Sequence, residues 1–140
     1  MIKIEYAPLR ARGEGRLSEA LVRKVALGVS TALKLKETFI VSVALVDRPA
    51  MQHLNKTFRG KDAVTDVLAF QYDEPETFGE VVICTARARE QALDMGRSLQ
   101  EEMTELLIHG FLHVFGYDHI KPKDAKVMLP LQERILKKLL

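Results

Sequence analysis

His109-Gly110-Phe111-Leu112-His113-Val114-Phe115-Gly116-Tyr117-Asp118-His119 is the stretch that decides how this chain is read. Three of the four histidines in the sequence fall within these eleven residues. His109 and His113 are four apart, so on a helix they lie one turn apart on the same face. Gly116 follows His113 by three positions, and glycine readily takes the left-handed conformation that ends a helix. The chain can then turn back and bring His119 to the other two. Two helical imidazoles and a third from the returning loop predict a three-nitrogen metal site with an open fourth position. That is the pattern of a catalytic zinc site, because a structural site normally closes with a fourth ligand.

The spacing is that of the metzincin signature, H-E-x-x-H-x-x-G-x-x-H. One position departs from it. The glutamate that serves as general base in those proteases is here Gly110. A glycine cannot move a proton, so a peptidase mechanism of that type lacks its base.

Working outward, the chain of 140 residues suits one domain, 1–140, with a proper core. Hydrophobic residues make up 47%, enough for that core, and no repeat or low-complexity tract interrupts it. A net charge of +2 does not by itself point to an acidic partner, although a basic face can hide within it. Cys84 is the only cysteine, so no intrachain disulfide forms, and its place at the end of an apolar run predicts a buried thiol. The N-terminal Met1–Tyr6 alternates like a strand and carries no long apolar signal region, and nothing approaches membrane-spanning length. A cytoplasmic protein without membrane partners is expected.

The periodicities predict strands at 1–6, 39–46, 64–72 and 79–84, the last two pairing as a hairpin. Helices are expected at 17–33, 49–56 and 85–95. Asp47 and Pro49 mark the start of the second of these. Pro8 to Arg16 reads as a loop, 59–62 as a turn and 73–77 as a polar turn. Ser98 and Glu101 form an S-x-x-E capping box that opens the helix carrying the histidines. From Leu106 to Phe115 that helix is apolar almost all round, which places it inside the protein. A last helix starts at Pro122, and Pro130 within it should break or kink it. The order predicts an α+β fold, close to α/β: one mixed sheet of about four strands, helices packed on it, and a central metal-binding helix. Parallel pairing is expected where a helix joins two strands.

Several separated motifs in the right order resemble the YbeY family of bacterial metal-dependent endoribonucleases. HGFLHVFGYDH at 109–119 fits that family's H-G-x-L-H-x-x-G-Y-D-H. Asn55-Lys56-Thr57-Phe58-Arg59, with Thr65-Asp66-Val67-Leu68-Ala69-Phe70, is similar to its N-x-x-[YF]-R and T-D-V-L-S-F. Gly79-Glu80-Val81-Val82-Ile83-Cys84 is a third segment, and Met128 and Glu133 fall where its last helix has Met and Glu. Ala69 stands where serine is usual and Gln71 where proline is common. The resemblance runs from about Val46 to Leu136.

It implies one Zn2+ per chain on His109, His113 and His119, and a functional role for Arg59. It also implies cleavage of single-stranded ribosomal RNA, maturation of the small-subunit RNA 3′ end, and ribosome quality control. The expected partners are the small ribosomal subunit and its proteins, with no DNA. Arginine offers a planar fork that matches two phosphate oxygens. Lys56 and Lys61 beside it are candidate RNA contacts, and Arg87, Arg89, Lys121, Lys123 and Lys126 extend a possible basic track. Phe58, Tyr72, Phe78 and Tyr117 are the aromatics available for base stacking. Glu80, Asp66, Asp118 and Glu102 are the carboxylates considered for proton transfer or for orienting a ligand. Two rival readings stand beside the nuclease: a metzincin-like zinc peptidase, and a non-catalytic zinc-stabilised ribosome-binding module.

Overall fold

The computed structural model describes residues 1–7, 17–72 and 77–140. The loop expected over Pro8–Arg16 and most of the polar turn from Asp73 lie outside the described residues. In chain order the elements are β1 (Ile2–Ala7), α1 (Glu19–Ala32), β2 (Phe39–Val46), α2 (Arg48–Arg59) and β3 (Val67–Gln71). They continue as β4 (Gly79–Cys84), α3 (Thr85–Asp94), α4 (Leu99–Val114) and α5 (Pro122–Leu139). The four strands form one mixed sheet in the order β1-β2-β4-β3. β1 and β4 each run parallel to β2, while β3 returns antiparallel to β4, with Ala69 opposite Val81. The expected fold class is therefore the observed one, with five helices on the sheet among the described residues.

Strand alternation sends side chains to two different cores. Val41, Val43, Leu45, Val81 and Ile83 face α1, α4 and α5. Leu68, Val82 and Cys84 face the other way, onto Met51 of α2. Cys84 is fully buried, as its apolar setting suggested. Helix α4 is the centre of the larger core and packs on α1, α3, α5, β3 and β4. Leu107, Ile108, Phe111 and Leu112 on it are sealed from solvent. Burial at this level contributes about 1.5–3 kcal/mol per large apolar side chain.

Local signals explain the helix ends. Asp47 Oδ1 accepts from the Ala50 N–H at 2.9 Å, and Ser98 Oγ accepts from the Glu101 N–H at 3.1 Å while donating to Glu101 Oε1. Three boundaries differ from expectation by more than one residue. Leu17 precedes the Ser18 cap instead of opening α1. α2 continues past Lys56 to Arg59, so Arg59 closes a helix rather than opening a turn. β3 begins at Val67, just after Asp66, whose carbonyl takes the Cys84 N–H at 2.9 Å while its Oδ1 accepts from Thr65 Oγ1 and the Val67 N–H.

Pro130 does not break α5, which runs unbroken from Pro122 to Leu139. Proline removes the N–H that would bond the carbonyl four residues back. That carbonyl belongs to Lys126, and both Lys126 and Pro130 are exposed, so water can take the orphaned acceptor. Met128, Leu131, Gln132 and Ile135 keep the buried stripe of the helix continuous across the proline.

α4 meets β4 at Gly110. A Cβ there would lie 2.6 Å from Val81 Cγ1, and Val81 is β-branched and fully buried, so it has no room to turn aside. A glycine inside a helix forfeits about 1 kcal/mol relative to alanine, which this close approach offsets. Gly110→Leu is therefore expected to lower stability by about 1–3 kcal/mol through overpacking. A lower urea midpoint at unchanged slope would show it; an unchanged midpoint would remove the steric role of Gly110.

Candidate metal centre

α4 ends where the sequence placed its glycine. The Gly116 N–H bonds the His113 carbonyl at 3.0 Å and the Tyr117 N–H bonds the Leu112 carbonyl at 3.0 Å. This pair of crossed bonds is a Schellman motif, and it needs the left-handed residue that Gly116 supplies at φ +94°. The chain doubles back, and Asp118 Oδ1 then accepts from the N–H groups of His119, at 2.7 Å, and Ile120. Asp118 thus shapes the loop that presents His119 and does not orient an imidazole ring. These backbone bonds hold its carboxyl below the usual carboxylate range.

The result is a group of three imidazoles. One nitrogen from each of His109, His113 and His119 lies within 4.8 Å of the others, a set that could hold a metal ion. His113 Nε2 and His109 Nε2 are 3.0 Å apart. His113 is half-buried, and that burial, followed by the neighbouring His109 and His119, pushes its pKa down to about 4. At neutral pH it is uncharged and offers a lone pair. Three nitrogen donors without a thiolate or carboxylate among them fit a zinc-like divalent cation with an open coordination position.

The orientation of His109 is set from outside the motif. Its Nδ1 is 2.7 Å from Oε1 of Gln132 on α5. Gln132 Nε2 in turn reaches Oε1 of Glu105 at 3.4 Å. A carboxylate only accepts, so the amide nitrogen must face Glu105 and the amide oxygen must face His109. The His109 proton is therefore on Nδ1, donated to Gln132, and its Nε2 lone pair points at the other histidines. Glu105 is held by Arg97, which also pairs with Glu102 through Nε at 3.1 Å. Burial raises the Glu102 carboxyl despite Arg97. Glu102 therefore belongs to this support and not to the cleft.

The imidazoles open into a cleft of about 810 Å³ along the free edge of β3. Asn55, Arg59, Lys61, Thr65–Ala69 and the turn 116–120 line its remaining walls. Arg59 reaches it from the end of α2, with Nη2 donating to the Ala69 carbonyl at 2.9 Å and Cζ 5.7 Å above the Phe70 ring. Lys61 lines the cleft, while Lys56 is exposed outside the lining. The buried Asn55, to which the sequence assigned no role, donates to the Ala63 carbonyl and fixes the turn that carries Lys61.

The other candidates sort by contact. Asp66 lines the cleft, but its two oxygens already accept from Thr65, Val67 and Gln91. Glu80 is outside the lining, half-buried, with its carboxyl raised by burial. Arg87 pairs with Glu90 outside the cleft, and neither Arg89 nor Lys121, Lys123 and Lys126 line it. Phe78 packs against Phe39 and Phe115 and lies outside the cleft lining. Gln132 escaped the sequence reading, although a polar residue on the apolar stripe of α5 was its visible signal.

Sheet order, buried central helix and three-imidazole cleft define a class: an α+β protein with an open metal-type site on a helix and its returning loop. Within that class, the model of the Endoribonuclease YbeY family matches residues 12–140, and the chain belongs to that family. A protein of Staphylococcus saprophyticus described as Endoribonuclease YbeY is 42% identical over 112 residues, covering 73% of each chain. One of Enterococcus faecalis with the same description is 38% identical over 122 residues, covering 74% of this chain and 77% of its own. The solution structure of TM1509 from Thermotoga maritima matches with a TM-score of 0.67 at 30% identity, over 99% of this chain and 89% of that one. No helix among the described residues is long and apolar enough to cross a membrane.

Partners behind metal-binding histidines typically contribute ten- to a hundredfold in affinity. Gln132→Leu keeps the volume and burial of the site but removes the acceptor for His109 Nδ1. Its affinity for Zn2+ is expected to fall by about that factor, measured by competition with a chromophoric chelator. An affinity equal to the parent's would show that His109 is oriented without Gln132.

Proposed function

We propose that this chain is a metal-dependent endoribonuclease with one Zn2+ held by His109, His113 and His119. Its substrate on this reading is single-stranded ribosomal RNA, cleaved in maturing the small-subunit 3′ end and in ribosome quality control in the cytoplasm. The observation that carries the reading is a single cleft holding three converging imidazoles and the Arg59 guanidinium. The family and the names of the relatives support RNA as the substrate. The motif resemblance supports the ribosomal part, and with it association with the small subunit.

When bound, such a cation supplies Lewis acidity toward a phosphoryl oxygen and lowers the pKa of a coordinated water. The chain's own residues do the rest. Gln132 keeps His109 in the tautomer that leaves Nε2 free. Arg59 presents a fork of donors to the phosphate oxygens, on which negative charge builds during cleavage. One arm of the fork is docked on Ala69, so the guanidinium is already placed at the cleft wall before substrate arrives. Lys61 adds a positive charge on the same wall. The metzincin-like peptidase reading is disfavoured at one position, where Gly110 stands in place of the glutamate that follows the first helical histidine in that signature.

The test incubates Zn2+-loaded chain with a single-stranded fragment of the small-subunit RNA 3′ end, and separately with an unfolded polypeptide. RNA cleavage alone is expected. Arg59→Ala should lose about a hundredfold to a thousandfold in rate while keeping its metal, with Arg59→Lys recovering part of the loss. His113→Ala should lose both metal and cleavage. Cleavage of the polypeptide instead would establish the peptidase, and metal uptake without either activity would favour the ribosome-binding module.

A further inference from the structure

Among the described residues, the most exposed aromatic side chains lie together, apart from the half-buried Tyr117 of the cleft. Among the described residues only Phe58 and Tyr72 are aromatics on the exposed surface, at 62% and 37%. Both pack on the same ring, that of Phe70. Phe58 meets it edge-on at 5.3 Å between centroids, and Tyr72 lies nearly parallel to it at 6.5 Å and 15°. By contrast Phe39, Phe78 and Phe115 pack on one another. Leaving a phenylalanine in water forfeits the gain of burying it, so an exposed aromatic cluster marks a surface that meets something.

The neighbourhood says what that is. Arg59 lies over Phe70 and at the same time lines the histidine cleft, so the aromatic cluster and the cleft share a wall. The cluster sits on the α2 side of β3 and the histidines come from the α4 side, with the strand's free edge between them. A ligand that runs over this edge meets cations in the cleft and flat apolar faces beyond it. That alternation suits a single nucleic acid strand, with phosphates on one side of its backbone and splayed bases on the other.

We propose that Phe58, Phe70 and Tyr72 form a base-stacking subsite for nucleotides flanking the phosphate that Arg59 contacts. The proposal rests on the endoribonuclease reading and names how that site takes a single strand. Stacking is tolerant of base identity because every base has a π face. The subsite therefore favours unpaired over paired RNA, whose bases are buried in the stack, without selecting a sequence.

The chain contains no tryptophan, so Phe58→Trp places its sole tryptophan on the platform, excited selectively at the red edge where tyrosine does not absorb. Titrating Phe58→Trp with a single-stranded oligoribonucleotide should quench and shift its emission. An abasic strand of equal length should bind through charge alone and leave the emission nearly unchanged. Phe58→Ala should weaken binding of the natural oligonucleotide at least about fivefold, while metal content and melting temperature stay at the parent's values. Phe58→Leu keeps an apolar contact to Phe70 without a π face and should bind like Phe58→Ala, which separates stacking from packing. If both variants bind and cleave RNA as the parent does, the subsite is overturned while the endoribonuclease reading stands. If the parent neither binds nor cleaves RNA, both fall. An effect of Phe58→Ala on sedimentation of the RNA-free chain, with RNA binding unchanged, would make the patch a contact between copies and overturn the proposal.

Discussion

The closeness of α4 to β4 is the constraint on which the rest of this structure depends. Helix and strand interlock reciprocally. Val81 of the strand fills the place where residue 110 has no side chain, and Val114 of the helix fills the place where residue 79 has none, 2.4 Å from a Cβ built there. The two contacts are one helical turn apart on α4 and two residues apart on β4, so they fix both the height and the tilt of the helix on the sheet. His109 and His113 each immediately precede one of these contact residues. Their imidazoles are therefore positioned by backbone-level packing rather than by flexible side chains, which is how a pre-organised site is held.

From that seating follow the other parts. With α4 fixed, the Gly116 turn returns His119 to the pair, and α5 crosses behind His109 to supply Gln132. The polar chain from Gln132 through Glu105 to Arg97 and Glu102 lies at the junction of three elements: α4, α5 and the segment between α3 and α4. A buried ion pair adds little net stability, because desolvation offsets much of its attraction. Its value in this place is direction, since it fixes which way one amide and one imidazole face.

Legibility in the sequence followed distance along the chain. The capping box, the i,i+4 histidines and the glycine at 116 are local signals, and each produced the element it predicted. Arg59 could be placed near the site, but its position at a helix end could not, because Gly60 reads equally as part of a turn and as the stop of a helix. The insertion of β4 between β2 and β3 was not readable, since pairing order is decided by which faces find a core. Gln132 is 23 residues from its histidine, and only the packing of α5 on α4 joins them. Pro130 was read by its local rule alone; exposure of the carbonyl it orphans relaxed that rule.

The docking of Arg59 on Ala69 has a consequence for how the protein behaves in a crowded solution. β3 is an outer strand, and an outer strand offers unpaired carbonyls and N–H groups to any other strand that drifts alongside. Arg59 takes one of those carbonyls and sets a charge in front of the edge. The side chain that gives the cleft its guanidinium thus also works as a gatekeeper against edge-to-edge aggregation.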